Sequence, residues 1–211
     1  MLTGETTDGL LTWSPRAPQY SPTFGVIYRI GNESTVTLGD LLKNAPEGCA
    51  FYTGSDEKGY EALSYNTEIT ADVKKITNVT LSTCFHADAD FDTMCDYCGA
   101  QLAAKHETFN DAGELVNTTY IRVRESGKIA DCVKNATGAR QVLTMLYIAD
   151  TNVTLTNKSV PLTLTRAGYP GNSYGNWTNF TFDNIEATVT DGDYIGTLTA
   201  NSSATLNISG G

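Results

Sequence analysis

Cys84, His86, Cys95 and Cys98 fall within fifteen residues, in the run Cys84-Phe-His-Ala-Asp-Ala-Asp-Phe-Asp-Thr-Met-Cys95-Asp-Tyr-Cys98-Gly99. Thiolate and imidazole are the donors that hold zinc tetrahedrally, and a Cys-x2-Cys pair followed by Gly lets two sulfurs grip one ion from a tight turn. Cys84-x-His86 supplies the other half, because alternate residues of an extended strand share a face. The four side chains together fill every position of a tetrahedron. A catalytic zinc keeps one position open for water, and three thiolates blunt the ion as a Lewis acid. The spacing therefore predicts a structural Zn2+ site rather than a reactive centre.

Two other readings of the run compete. Three neighbouring cysteines could form one disulfide and a free thiol, a chemistry that persists in oxidising surroundings, but this leaves His86 unexplained. Asp88-x-Asp90-x-Asp92 resembles the start of a calcium loop, which requires Gly at its sixth position and Glu at its twelfth. Those positions here are Thr93 and Gly99.

Signatures of catalysis are thin elsewhere. His106-Glu107 lacks the second His of a zinc-protease helix, and neither a Gly-x-Ser-x-Gly elbow nor a Gly-Lys-Ser/Thr phosphate loop occurs. Asp183, Glu186, Asp191 and Asp193 form a local acidic group, the raw material of a glycosidase or lyase pair, though surface acids on turns account for such a group as well. Tyr169, Tyr174 and Trp177 lie in a Gly/Asn-rich segment and are the candidate binding residues, since exposed aromatics on loops serve sugar stacking and protein hot spots. Phe180 and Phe182 alternate and are expected to point inward.

The elements that must position these residues follow from composition and periodicity. The chain has 211 residues, 14 Lys and Arg against 24 Asp and Glu, and a net charge of -10. With no basic cluster to meet phosphates, nucleic acid is excluded as a partner class. No apolar run is long enough for a membrane span. Few charges with abundant Thr, Asn, Ser and Gly suit strands with wet outer faces and many turns.

The predicted fold class is mainly β with minor α: a small α+β module, a zinc knuckle, then a β-solenoid-like or β-sandwich segment. Residues 1–22 are expected to be a linker or edge segment, 23–82 the small α+β surface module, 83–104 the knuckle and 105–211 the β-rich segment, the start of a solenoid. Within the first module, strands are predicted over 24–30 and 34–38, with a short helix from Leu38 that Pro46 and Gly48 terminate. Ile129, Cys132, Val133 and Ala136 stand at helical spacing and predict an amphipathic helix. From Val142 onward, short alternating runs at 143–149, 153–155, 160–164, 180–182, 185–189, 195–198 and 206–208 predict successive strands. Cys49 and Cys132 are either a bridge or two separate thiols.

Ten Asn-x-Ser/Thr triplets occur. Asn at turns beside Thr in strands produces the triplet without any glycan, and the close pairs Asn152/Asn157 and Asn176/Asn179 would crowd two sugars. The first residues carry no basic and apolar leader, and with the uncapped last strand this leads us to expect an excised piece of a longer chain.

Several stretches together resemble repeated modules of large exported, wall-anchored, adhesin-like surface proteins of Gram-positive gut bacteria, Lachnospiraceae and their relatives. They are Thr35-Val-Thr-Leu-Gly-Asp-Leu-Leu42, Glu47-Gly-Cys-Ala-Phe-Tyr52, Ile76-Thr-Asn-Val-Thr80, the Cys84-x-His86 and Cys95-x2-Cys98-Gly99 knuckle, and Leu102-Ala-Ala-Lys105, covering roughly residues 35 to 165. The resemblance implies an extracellular, cell-wall-attached chain whose anchor lies elsewhere in its parent. It also implies a non-catalytic binding or adhesion role toward a host surface or secreted glycoprotein, with immunoglobulin or mucin as the partner. The chain departs from the pattern at Cys49, where an aromatic is more usual, and at Leu164-Thr-Arg-Ala-Gly168, which replaces an Asn-Gly turn. A carbohydrate-active β-helix enzyme fragment is the alternative function.

Overall fold

The structure, a computed structural model, describes residues 2–6, 9–15, 25–30, 36–55, 59–69, 75–147, 152–167, 178–190 and 195–209. Backbone contacts divide the chain into two units, Met1–Ala87 with Cys95–Ala100, and Asp88–Met94 with Gln101–Gly211. All four knuckle ligands belong to the first unit, whereas the segment between its two halves belongs to the second.

The first unit is built on an antiparallel sheet. Its strands are β1 (Leu2–Thr6), β2 (Gly9–Pro15), β3 (Gly25–Ile30), β5 (Cys49–Ser55), β6 (Gly59–Ala62) and β8 (Lys75–Thr83), in the order β1-β2-β3-β8-β5-β6. A two-residue ladder of β4 (Val36–Thr37) with β7 (Glu68–Ile69) precedes and flanks the helix α1 (Leu38–Leu42). Thr37 and Asp40 form a capping box at the start of α1, which satisfies donors that a helix leaves bare there. Val36, Leu38, Leu41 and Ile69 then pack on Ile27, Phe51 and Val79, burying all seven. Residues 1–22 thus contribute a β1/β2 hairpin with β1 at the sheet edge.

The second unit begins with β9 (Leu102–Phe109), β10 (Leu115–Arg122), a 3-10 turn at Val123–Glu125, α2 (Lys128–Lys134) and β11 (Arg140–Met145). Two long strands follow, β12 (Asn152–Arg166) and β13 (Thr178–Val189), then β14 (Ile195–Ala200) and β15 (Thr205–Ile208). Among the described strands, β11 to β15 pair with one another only in parallel, β11 with β12, β12 with β13, and β13 with both β14 and β15, while β11 joins β9 antiparallel. No helix lies between these parallel strands in the described residues. Strands β12 and β13 each run as two straight legs stacked in parallel, the pairing that successive coils of a solenoid make.

A polar corner separates the legs of every coil. Register shifts around Asn157 mark it in β12, the left-handed Asn184 (φ 49°) marks it in β13, and the turn between β14 and β15 starts at Asn201. Apolar side chains stack inward in register, Val153 on Phe180, Leu155 on Phe182, Leu162 on Ala187 and Leu164 on Val189. Outward, Thr154, Thr181 and Thr199 form one column, and Asn179 donates from Nδ2 to Asn152 Oδ1 (3.1 Å) while its Oδ1 accepts the Thr197 N–H (2.8 Å). Asn-x-Thr recurs here because Asn and Thr occupy neighbouring outward positions of a leg.

The mainly β class with minor α stands, and the short runs expected at 153–155 and 160–164, and at 180–182 and 185–189, are the two legs of single bent strands. Helix α2 buries Ile129 and Val133 and partly covers Cys132, whereas Ala136 lies past its last turn. Strand β10 ends at Arg122, where the chain tightens into the 3-10 turn.

Candidate metal centre

Strand β8 and the segment after it deliver the first two ligands. The Cys84 N–H donates to the Gly48 carbonyl (2.8 Å), so Cys84 extends the β5–β8 pairing by one residue. His86 then turns to φ 54°, a left-handed conformation that costs a non-glycine residue about 1–2 kcal/mol. Strain of this size persists where surrounding interactions over-determine it. In exchange, the His86 N–H points at Cys84 Sγ (3.3 Å), and the imidazole Nδ1 lies 3.4 Å from Cys98 Sγ.

The second pair sits on a knuckle. Cys95 N–H donates to Ala100 O and Gly99 N–H donates back to Cys95 O (2.9 Å each), closing a turn around Cys98. Gly99 has φ +67°, a conformation that favours glycine, and a Cβ there would press on the Tyr65 ring at 3.3 Å. Tyr65 and Ala87 tie the knuckle to its unit from either side, through Tyr65 N–H to Asp96 O and Asp96 N–H to Ala87 O (2.9 Å each). Phe85, between the first two ligands, is 60% exposed and rests on Tyr52 and Tyr97.

The ligand geometry is compatible with a metal and excludes a disulfide. Cys84 Sγ and Cys95 Sγ are 3.6 Å apart, and the four candidate ligand atoms all lie within 4.8 Å of one another. A tetrahedral zinc with bonds of about 2.3 Å to sulfur and about 2.0–2.1 Å to nitrogen separates its ligands by about 3.8 Å (S to S) and about 3.6 Å (S to N). Both observed separations match within about 0.2 Å. A disulfide needs about 2.0 Å, and no disulfide joins any of the five cysteines, Cys49 and Cys132 included. The group can hold a metal ion.

Its electrostatics suit a cation. Cys95 accepts from Cys84, Cys98 and His86 and from the Tyr97 backbone, which holds its thiol far below the ordinary range, while the Cys84 thiol that donates to it is pushed far up. Burial works against a charged His86, but its hydrogen bonds to Cys95 and Cys98 outweigh this and hold it up at about 9. Negative charge is thus concentrated on sulfur, and a metal ion would take the place of the shared protons. Burial, with the Cys84 charge next, pushes the neighbouring Tyr52 phenol up to about 12, and its hydroxyl donates to Thr83 O (2.9 Å).

The alternating aspartates have a local explanation. Asp88 Oδ1 and Oδ2 accept the N–H groups of Asp92 (3.1 Å) and Thr93 (3.2 Å), Asp90 Oδ1 that of Asp92 (3.3 Å), and Asp92 Oδ1 that of Met94 (2.7 Å). Each carboxylate folds its own loop, as Asp does in turns.

The remaining sequence-predicted residues are not drawn into this site. Tyr169, Tyr174, Trp177, Asp191 and Asp193 lie outside the described residues. Asp183 accepts the Ser203 hydroxyl at a coil corner (3.0 Å), Glu186 is exposed, and Phe180 and Phe182 are buried as expected. His106 is buried against Gln141 (2.8 Å).

Sequence reasoning missed the contribution of Tyr65, whose ring packs on Gly99 and whose backbone holds Asp96. Nothing in the sequence near Tyr65 signals a partner thirty residues away. No protein family, curated protein or solved structure matches this chain.

Proposed function

We propose that the metal is zinc, held as a structural clamp, in a non-catalytic binding or adhesion segment of a bacterial surface protein. The observation that carries the clamp is the donor set: three sulfurs and one imidazole with their ligand atoms within 4.8 Å of one another, Cys95 fully buried and Cys84 4% exposed. Soft thiolates with one imidazole favour zinc over the hard, oxygen-seeking cations. A saturated tetrahedron serves folding, because it offers no position for substrate or water.

A binding role is favoured over hydrolysis by where the acids stand. Asp183 accepts the Ser203 hydroxyl at a corner and Glu186 is exposed on a leg, the placement of surface acids on turns and outer faces. Host immunoglobulin or mucin glycans are the partners to which the family resemblance points, with Tyr169, Tyr174 and Trp177 as the contact residues.

Metal analysis of the purified chain tests the clamp, with one zinc per chain expected and none after Cys84→Ser or Cys95→Ser. Retention of zinc by either variant would overturn it. For the binding role, a pulldown with immortalised-cell mucins and pooled immunoglobulins is expected to capture the chain and to fail with Trp177→Ala. New reducing ends released from mucin or pectin would instead establish the enzyme reading.

A further inference from the structure

The three knuckle sulfurs differ in their access to solvent. Cys84 and Cys95 are buried, whereas Cys98 is partly exposed and, with Gly99, forms one wall of a cleft of about 320 Å³. Gly39, Leu42 and Lys43 of the α1 region line the cleft as well, and the Tyr65 ring lies 3.3 Å from where a Cβ on Gly39 or on Gly99 would stand. These residues all belong to the first unit. Lys43 stands at the rim with its side chain 73% exposed, held by Asp40 at 2.8 Å.

Access to solvent singles out Cys98 among the three sulfurs. A zinc-bound thiolate keeps nucleophilic character, and oxidation selects the thiolate that solvent can reach. We infer that Cys98 is a modification site: a small peroxide enters the cleft beside α1, oxidises Cys98 first, and thereby opens the clamp. This inference rests on the zinc reading.

The chemistry balances with hydrogen peroxide as the oxidant. Cys98 Sγ forms a bond to one peroxide oxygen as the O–O bond breaks, and the departing hydroxide takes a solvent proton to become water. The resulting sulfenic acid is attacked by the thiolate of Cys84 or Cys95, each within 4.8 Å, forming a disulfide and releasing the second water after protonation. Two sulfurs together lose two electrons and the peroxide gains them. The ion, left with one thiolate and His86, dissociates.

The experiment uses the full chain after its zinc content has been measured. Limiting hydrogen peroxide is added with a sulfenic-acid trap and a zinc-sensitive dye, and each cysteine is then mapped by mass spectrometry. The expected result is trapping at Cys98 before Cys84 or Cys95, one zinc released per Cys98 oxidised, and release slowed at least about threefold by Lys43→Trp, which covers the cleft. Trapping at Cys84 or Cys95 first, or zinc release while Cys98 stays reduced, would overturn the inference and leave the clamp standing. A chain that neither carries nor takes up zinc would defeat the clamp itself and this inference with it.

Discussion

Two buried polar residues of the second unit show how single side chains hold the coils. Asn157 donates from Nδ2 to Val133 O (2.9 Å) and Ala136 O (3.2 Å), and its Oδ1 accepts the N–H groups of Ser159 and Val160 (3.0 Å each). One amide thus caps carbonyls at the end of α2 and fastens the backbone of the first corner. Asn157→Ala strands these groups, so a loss of about 2 kcal/mol is expected in denaturant unfolding of the second unit. The same burial means that a glycan on Asn157 is incompatible with the fold, although the residue heads a perfect acceptor triplet. His106 offers a pH test. Gln141 donates from Nε2 to Val160 O (3.0 Å), which leaves its Oε1 to accept from His106 Nε2 and fixes the neutral tautomer. Burial lowers the pKa of His106, with the Gln141 bond and the Glu107 charge opposing. Its folded value therefore lies below the unfolded value of about 6.5, and the unfolded chain binds the extra proton between the two. The contribution is complete above about pH 6.5 and is lost as pH falls toward the folded value. Denaturation midpoints measured from pH 7.5 to 5 should fall more steeply for the natural chain than for His106→Gln; parallel curves would refute this.

At the scale of elements, α2 acts as a lid on the solenoid. Ile129 and Val133 join the cluster that contains Val153, Leu155, Leu162 and Leu164 of the first complete coil, and Asn157 reaches back to the helix end. Stacked coils leave an apolar end that a different element must cover, and α2 with the β9–β10 hairpin meets that need. Glu125, just before the helix, is held down at about 2 by hydrogen bonds from Arg122 and Lys128, so the helix entrance is fixed by an ion-paired carboxylate. Ile129→Ala is expected to destabilise the second unit by about 2–4 kcal/mol and to raise hydrogen exchange first in residues 152–166. Uniform acceleration through 178–208 would contradict the lid. The helix itself was legible in the 3.6-residue spacing of Ile129, Cys132 and Val133, and the knuckle in the Cys-x2-Cys-Gly pattern, because both signals are local. What escaped was long-range: the Tyr65 contacts with the knuckle, the union of two short runs into each bent strand, and the hairpin formed within residues 1–22. Alternation is the same whether a chain bends at an Asn corner or stops there, and only parallel pairing with the next coil decides between the two.

For the whole molecule, the four ligands of the candidate clamp all lie in one of the two units, where the described residues include one buried apolar cluster of Ile27, Val36, Leu38, Leu41, Phe51, Ile69 and Val79. The loop at 88–94, although it separates the two ligand pairs in sequence, is fastened within the second unit by Thr93 O, which accepts from Leu102 N and Gln101 Nε2 (2.9 Å each). Removing the metal should therefore weaken one unit and spare the other. A strong chelator is expected to lower the thermal midpoint of the first unit by roughly 10 °C or more. Exchange should rise at 49–52, 80–87 and 95–100, while residues 152–166 and 178–189 keep their protection. Cys98→Ser, in the absence of chelator, should reproduce the same pattern. If chelation left the exchange of 80–100 unchanged, the knuckle would not be a clamp. If it melted the coils as well, the two cores would be one cooperative system, and the stability of the solenoid would depend on the metal.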